Sequence, residues 1–209
     1  MKLPFSVKAQ VEPISAILVA GIFIALAAVA YLWGAPLIEK QSSRLTFDSA
    51  VLFATKLDEA VIQAANTGSA NEVAVPFGFL SVAGADDEDP NSLVFEFRLS
   101  QPVMQPGAFF YVGEAATAEA ENGILGKSHP SLISVTADTA DPSSMRIRIK
   151  YRELLSPDSA DGSMIALRSE GKQTTTAKIS LSFADTQNLP GQALNGGGLR
   201  LANVAVRMA

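Results

Sequence analysis

Four consecutive acidic residues, Asp86-Asp87-Glu88-Asp89, form the strongest polar cluster in the chain. Carboxylate oxygens are the ligands that Ca²⁺ prefers, so calcium is the ion that such a cluster would hold. The spacing does not match an EF-hand loop, and the side chains of consecutive residues cannot all face one ion. We therefore interpret the cluster as a solvated acidic loop and predict no metal site.

Catalytic chemistry has few candidates. His129 is the only histidine and precedes Pro130 in a stretch rich in Gly, Ser and Pro, which favours a loop residue over a base or a ligand. The hydroxyl run Thr174-Thr175-Thr176 has no nucleophile motif such as G-x-S-x-G beside it. The chain has no cysteine, which excludes thiol nucleophiles, thiolate metal sites and disulfides. The sequence predicts a protein that is not an enzyme and needs no cofactor.

Composition separates the chain into an apolar beginning and an ordinary remainder. Of 209 residues, 48% are hydrophobic and 18% charged, and the formal net charge is −5. The apolar excess lies near the N-terminus, which indicates a membrane-class segment rather than an unusually large core. No basic stripe is present, so nucleic-acid binding is not predicted.

The N-terminal segment is long enough to span a bilayer. Residues 13–38 carry no charge, and a helix over residues 14–33 would measure about 30 Å, the thickness of the hydrocarbon layer. A helix that is apolar on every side must lie in lipid or inside protein. Tyr31 and Trp33 suit a membrane–water interface, and Lys2 and Lys8 favour a cytoplasmic N-terminus.

Three interpretations of this segment remain open. It could be a plain transmembrane anchor. It could be a secretory signal peptide, with Ala28-Val29-Ala30 as the small-x-small cleavage site. Uncharged sequence continues past Ala30 to Ile38, whereas mature N-termini usually turn polar sooner. The third interpretation depends on Lys8-Ala9-Gln10-Val11-Glu12, which immediately precedes the apolar run.

Residues 1–40 resemble the prepilin leader and helix of archaeal type IV pilins and archaellins. In that family a short basic leader ends in Lys or Arg followed by Gly or Ala, and a membrane peptidase cuts there. The resemblance implies cleavage between Ala9 and Gln10, which leaves the apolar helix in the mature protein. It also implies that the partners are copies of this chain, the prepilin peptidase, the assembly machinery, and the membrane before assembly.

The resemblance further implies that the apolar helix is the assembly surface of a filament. One departure concerns the glutamate that many pilins carry five residues into the mature chain, because Ile14 occupies that position here. Glu12 could pair with the amine of a neighbouring subunit, since a carboxylate among apolar helices needs a positive partner. Alternatively, Glu12 favours the helix start beside Pro13. The predicted assembly residues are Glu12, Ile14, Ile17, Ala20, Gly21, Ile24, Ala28 and Trp33.

Gly34 and Pro36 interrupt the helical pattern, and a kink or a melted turn is expected there because proline removes a backbone donor and clashes with the preceding turn. An amphipathic helix follows and ends near Ala65, before Asn66-Thr67-Gly68. The predicted organisation is a leader over residues 1–9, a helix over 10–66 with an apolar part (10–38) and an amphipathic part (39–66), and a β domain over 67–209.

From about Glu72 the apolar residues alternate with a period of two. The clearest predicted strands are 93–99, 145–151 and 177–183, and weaker ones are 73–82, 109–112, 132–136, 164–168 and 199–208. About eight strands with one apolar and one polar face predict an antiparallel, immunoglobulin-like β-sandwich. The predicted class is therefore α+β, with a long N-terminal helix before an all-β domain.

These observations together predict a structural subunit of an extracellular, type IV pilus-like filament on the cell surface, with a precursor in the cytoplasmic membrane. The β domain would form the outer, adhesive face. Two alternatives remain: a membrane-tethered or secreted β-sandwich binding module, and a minor pilin. The sequence of the mature N-terminus distinguishes the interpretations. A mature chain that starts at Gln10 indicates a filament subunit, one that starts at Tyr31 a secreted module, and one that starts at Met1 a plain anchor.

Overall fold

The computed structural model describes residues 8–83, 90–113 and 122–209. One helix, α1 (Lys8–Thr67), precedes a β-rich region, so the class is α+β. The chain divides into two compact units, Met1–Ser42 and Ser43–Ala209. The described strands, all in the second unit, are β1 (Asn71–Ala74), β2 (Phe79–Val82), β3 (Ser92–Arg98), β4 (Phe109–Tyr111), β5 (Gly123–Ile124), β6 (Ser131–Ala137), β7 (Ser144–Tyr151), β8 (Leu154–Leu155), β9 (Gly162–Gly171), β10 (Thr174–Thr175), β11 (Lys178–Leu189) and β12 (Leu199–Met208).

The strands form two six-stranded sheets. The first has the order β1-β11-β12-β9-β8-β5 and the second β10-β2-β3-β7-β6-β4. Alternation gives each sheet one buried face, as in β7, where Met145, Ile147 and Ile149 are buried while Arg146 is exposed. The three strands predicted most clearly correspond to β3, β7 and β11.

The prediction that all strands are antiparallel is wrong. β9 and β12 pair in parallel over their whole length, from Gly162 opposite Leu199 to Gly171 opposite Met208, and β5 and β8 are parallel as well. A parallel pair needs a long connection, and β10 and β11 supply it between β9 and β12. Alternation along a strand carries no information about the direction of its neighbour, so the sequence pattern did not distinguish the two cases.

The predicted strand over residues 73–82 is two strands in different sheets. β1 ends at Ala74 and β2 begins at Phe79, on either side of Pro76 and Gly78. Gly78 has φ +73°, and a Cβ there would stand 2.3 Å from the Glu96 carbonyl oxygen. The chain leaves one sheet and enters the other at this point, and the positive φ with this close approach suits only glycine.

One side chain joins the two sheets. The Asn91 amide nitrogen donates to the carbonyl oxygens of Tyr151 (3.2 Å) and Ile165 (2.7 Å), and its side-chain oxygen accepts from the Leu167 backbone amide (2.8 Å). Tyr151 belongs to β7 and the other two partners to β9. Asn91 has φ 62°, a left-handed conformation that asparagine tolerates better than most residues. This asparagine therefore fixes the two sheets to each other.

The part of α1 that belongs to the second unit contributes one face to the core. Ala50, Leu57 and Ala64, which are seven residues apart, are completely buried, as are Ala54 and Val61. The Phe53 ring packs edge-on against Phe95 of β3, with ring centroids 4.9 Å apart. The core cluster also contains residues of both sheets, among them Ile147, Ile179, Leu181, Val204 and Val206. The amphipathic spacing of the helix thus produces a helix packed on β-sheet.

Of the kink or melted turn expected at Gly34 and Pro36, the melted turn is absent, because α1 is helical without interruption from Lys8 to Thr67. The kink stays a prediction. Proline costs helix stability by removing one hydrogen bond and crowding the preceding turn, but its φ lies in the helical range. One such residue is tolerated when the residues on both sides favour the helix. Ala35, Leu37 and Ile38 continue the helix around Pro36.

Candidate functional site: the apolar half of helix α1

Residues 15–38 of α1 present apolar side chains to their surroundings on every side. The helix is long and apolar enough to cross a membrane, and its most apolar stretch has no buried residue. Among the predicted assembly residues, Ile17 is 74% exposed, Ile24 71% and Trp33 83%. Exposed apolar area of this extent is unfavourable in water, so the segment needs an apolar environment from outside the chain.

Small residues leave room for another helix to approach this segment. Ala20, Gly21 and Ala28 are exposed. Among the residues that the structure describes, no atom lies within 4 Å of the position that a Cβ would take on Gly21 or on Gly34, apart from each glycine's immediate chain and helix-backbone neighbours. Helices in apolar surroundings associate where small residues allow close backbone contact, because packing and not water exclusion holds them together.

The predicted processing site lies at the beginning of α1. Ala9 and Gln10 have helical backbone, since the helix starts at Lys8. The leader residues 1–7 and the side chains of Glu12 and Ile14 lie outside what the structure describes, as does the acidic cluster 86–89. Cleavage between Ala9 and Gln10 and the pairing of Glu12 stay predictions.

A second polar site lies inside the β-rich unit and was missed by the sequence analysis. The Ser131 hydroxyl donates to Asp58 Oδ2 over 2.7 Å, and His129 Nδ1 lies 3.0 Å from the Ser131 oxygen and 3.7 Å from Asp58 Oδ2. His129 lies in a loop, as expected, but it has two polar neighbours that the sequence did not reveal. One signal was available: Asp58 occupies the buried face of α1, four residues after Ala54 and three before Val61.

Burial dominates the electrostatics of this cluster. Loss of hydration raises the pKa of Asp58, and the Ser131 hydrogen bond and nearby His129 only partly oppose that rise. Burial also raises the pKa of Tyr151, and the adjacent Asp58 charge adds to the effect. Asp58 Oδ1 and the Tyr151 hydroxyl make no hydrogen bond of good geometry among the described residues, although the two groups are close enough to affect each other's pKa. The cluster therefore holds a carboxyl group whose charged form is costly.

The arrangement of Asp58, Ser131 and His129 suits anchoring rather than catalysis. In a serine nucleophile site the histidine stands between acid and serine, whereas here Ser131 stands between Asp58 and His129. Ser131 is only 2% exposed, which closes its hydroxyl to a substrate. The hydrogen bond instead ties α1, through Asp58, to the first residue of β6.

The β-rich unit also contains an open cleft of about 1020 Å³. It is lined mainly by hydroxyl, amide and small apolar side chains, among them Ser156, Ser163, Thr186, Asn188 and Leu199. Asp161 and Arg200 are its charged lining residues. Within residues 15–83, 90–113 and 122–209, no group of three or more His, Asp or Glu side chains is placed to hold a metal ion.

No protein-family model, curated protein or solved structure matches this chain. The resemblance of residues 1–40 to archaeal pilins is therefore a hypothesis that depends on the sequence pattern alone.

Proposed function

We propose that this chain is the structural subunit of an extracellular, type IV pilus-like filament that polymerises through the apolar half of α1. The observation that carries the proposal is the exposure of apolar side chains all around residues 15–38 of a helix that continues to Thr67. Such a segment is stable only in lipid or among other apolar helices. Before assembly the membrane supplies that environment, and afterwards copies of the same helix do.

Transfer from lipid to a helix bundle costs little free energy, because lipid tails and Leu, Ile and Ala side chains are similarly apolar. The small residues Ala20, Gly21 and Ala28 permit close approach of helices. A contact between two different surfaces of the same chain is head-to-tail, and it generates an open helical polymer unless a rotation closes it. The chemistry of α1 therefore fits a filament core.

The proposal assigns the other parts of the chain to processing and to the outer surface. A prepilin peptidase cuts between Ala9 and Gln10, and Glu12 pairs with the amine that this cut creates on a neighbouring subunit. The β-rich unit, as an immunoglobulin-like β-sandwich, forms the filament wall and its adhesive face. The finished polymer lies outside the cell, and its precursor lies in the cytoplasmic membrane.

The substitution Ala25→Asp tests the proposal. A carboxylate in the middle of the apolar segment has no partner among apolar helices, so filaments should disappear from the sheared surface fraction while the β-rich unit stays folded. Ala74→Asp, at an exposed alanine of β1, is the matched control and should leave filaments unchanged. Electron microscopy and blotting measure both outcomes. Normal filaments from the Ala25→Asp chain, or a mature protein that starts at Tyr31, would refute the proposal.

The cleft in the β-rich unit favours one alternative, a membrane-tethered or secreted binding module. Its hydroxyl and amide lining, including Ser163, Thr186 and Asn188, suits a polar, uncharged ligand. A mature chain that starts at Met1 or Tyr31 and forms no polymer would support this function. A minor pilin would instead start at Gln10 and occur at low abundance in sheared filaments.

A further inference from the structure

A row of five side chains runs across the second sheet, one from each of five neighbouring strands. Phe109 of β4 lies opposite Thr136 of β6, and Thr136 lies opposite Arg146 of β7. Arg146 in turn lies opposite Glu96 of β3, which lies opposite Phe79 of β2. Directly opposed residues share one face of a sheet, so the row crosses four strand spacings, or about 19 Å. We call these five residues the transverse row.

The transverse row lies on the face of the sheet that does not enter the core. Its neighbours along the strands, such as Phe95, Val135 and Ile147, belong to the core cluster, and alternation turns the row to the opposite side. At the two ends of the row, Phe109 is 53% exposed and Phe79 61%. The row therefore presents an aromatic ring at each end and polar groups between them.

An ion pair forms the centre of the row. Arg146 Nε and Nη2 lie 2.8 Å and 2.7 Å from Glu96 Oε1, and both side chains are about half exposed. Because both contacts use the same oxygen, Glu96 Oε2 and Arg146 Nη1 remain for other partners. An exposed ion pair adds little to stability, and its two charges cancel. The pair is thus a set of hydrogen-bonding groups without net charge.

Two shallow depressions share this pair. The first has a volume of about 580 Å³ and is lined by Phe109, by the pair, and by polar residues that include Thr136, Asp138, Thr139 and Ser144. The second has a volume of about 360 Å³ and is lined by the pair and by polar residues that include Ser81, Gln173 and Thr174. The surface on both sides of the pair is therefore concave and rich in hydroxyl groups.

We propose that the transverse row binds a neutral oligosaccharide that lies across the strands. A sugar ring has an apolar face of C–H groups, which packs on an aromatic ring, and a rim of hydroxyl groups, which donate to carboxylates and accept from guanidinium groups. The row offers both kinds of contact. The balanced charges of Arg146 and Glu96 complement an uncharged ligand, whereas the carboxylates of Glu96 and Asp138 disfavour the phosphates of a nucleic acid.

This site differs from the open cleft described above, which Ser163 and Asn188 of the first sheet help to line. The inference gives the adhesive face assigned to the β-rich unit a position and a ligand class. It rests on the proposed function only for the purpose of the binding, which is attachment of a filament, since the contacts themselves need no polymer.

Calorimetric titration of the full chain in a polyoxyethylene detergent tests the inference, because this detergent has no sugar headgroup. The probes are the β-1,4-linked hexasaccharides of glucose, mannose and N-acetylglucosamine. We expect saturable binding of at least one probe, with a Kd below about 10 mM. Phe109→Ala and Phe79→Ala should each weaken it roughly tenfold, since each removes one ring contact. Leu194→Ala, at a leucine of the β-rich unit that is 60% exposed, is the control and should bind normally.

A second pair of variants tests the centre of the row. Glu96→Ala removes the carboxylate that accepts from the sugar and should weaken binding roughly tenfold. Glu170→Ala is the matched control, because Glu170 forms an exposed ion pair of similar length with Arg207 (3.0 Å) on the first sheet. It should leave the affinity unchanged. Circular dichroism should be the same for all these variants, because each substituted side chain is exposed or half-exposed.

The inference is overturned if no hexasaccharide binds, if a transverse-row variant binds like the unmodified chain, or if Asn188→Ala in the cleft abolishes the binding instead. Binding of a single-stranded oligothymidylate in place of the sugars would also overturn it. These outcomes leave the proposed function intact as long as Ala25→Asp still abolishes filaments. If the unmodified chain forms no polymer but binds the sugar through the transverse row, the proposed function fails and this inference stands.

Discussion

The two halves of helix α1 have opposite relations to water although they belong to one continuous helix. Residues 15–38 are the more apolar half, yet all of them except Gly34 and Ala35 are exposed. Residues 43–67 contain charged residues such as Arg44, Lys56 and Glu59, yet they bury Ala50 and Leu57 completely. The more hydrophobic half is therefore the less buried half.

This contrast shows that pattern, more than total hydrophobicity, decides which part of a helix enters the core of its own chain. A helix with one apolar and one polar face can satisfy a core and water at the same time. A helix that is apolar on all sides has no face that suits water. A small domain can cover one face of such a helix, so most of the helix surface is left without an apolar partner in its own chain. Lipid or other chains must then cover it, and the function proposed for the first half depends on that need.

The largest difference in unfolding free energy is expected between two Leu→Ala substitutions, one in each half of α1. Leu57→Ala should lower the free energy of unfolding of the β-rich unit by about 2–5 kcal/mol, since it opens a cavity at a fully buried site. Leu26→Ala, at a leucine that is 60% exposed, should change it by less than about 0.5 kcal/mol. Denaturant unfolding of the full chain in non-ionic detergent, followed by circular dichroism, measures both.

Tryptophan fluorescence is unsuitable for that measurement, because Trp33, the only tryptophan, lies in the apolar half. Equal losses for Leu57→Ala and Leu26→Ala would contradict the contrast between the two halves.

A smaller effect is expected where α1 is tied to the sheet by a hydrogen bond. Ser131→Ala leaves Asp58 Oδ2 buried without its donor, which should cost about 1–3 kcal/mol of unfolding free energy. Ser49→Ala is the control, because the Ser49 hydroxyl donates to the Leu45 carbonyl oxygen of its own helix at an exposed position. Matching stabilities of the two variants would show that the Asp58–Ser131 bond does not hold the helix in place.

The raised pKa of Asp58 predicts the pH dependence of this attachment. An acid with a higher pKa in the folded state makes its full contribution to stability below its unfolded pKa of 3.8, and that contribution is lost as the pH rises through the folded value. Within that window the loss is about 1.4 kcal/mol per pH unit. Asp58→Asn cannot ionise, so its stability relative to the unmodified chain should increase from pH 4 towards neutrality.

Unfolding in parallel at pH 4 and pH 7 tests this prediction, and His129→Ala separates the contribution of the nearby imidazole. A stability difference between the Asn variant and the unmodified chain that stays constant with pH would contradict a raised pKa.

The smallest effect is expected at Pro36. Pro36→Ala restores a backbone donor inside a continuous helix, so amide exchange should slow around residues 32–40. The stability of the β-rich unit should not change, because Pro36 belongs to the other unit. Hydrogen exchange of the full chain in detergent, with denaturant unfolding beside it, resolves the two effects. Faster exchange in this stretch of the Ala variant would show that the helix does not carry the penalty expected of proline.

Much of the fold was predictable from local pattern. Alternation predicted β3, β7 and β11, and helical spacing predicted the amphipathic half of α1 with an end near Ala65, two residues before the observed end at Thr67. The melted turn at Pro36 was expected because local propensity was given more weight than the continuity of the surrounding helix, whereas a kink there stays a prediction. The single strand over residues 73–82 was wrong because Gly78 marks a change of sheet, which alternation does not report.

The sequence by itself determined the contrast between an all-apolar and an amphipathic stretch and the alternation of the strands. Each of these depends on residue type at fixed spacing, and helix and strand geometry convert spacing directly into faces. Only the tertiary structure decided that Asp58 meets Ser131 and His129, that Asn91 joins two sheets, and that β9 runs parallel to β12. Those contacts join residues that are far apart along the chain, and no local periodicity encodes which distant segments become neighbours.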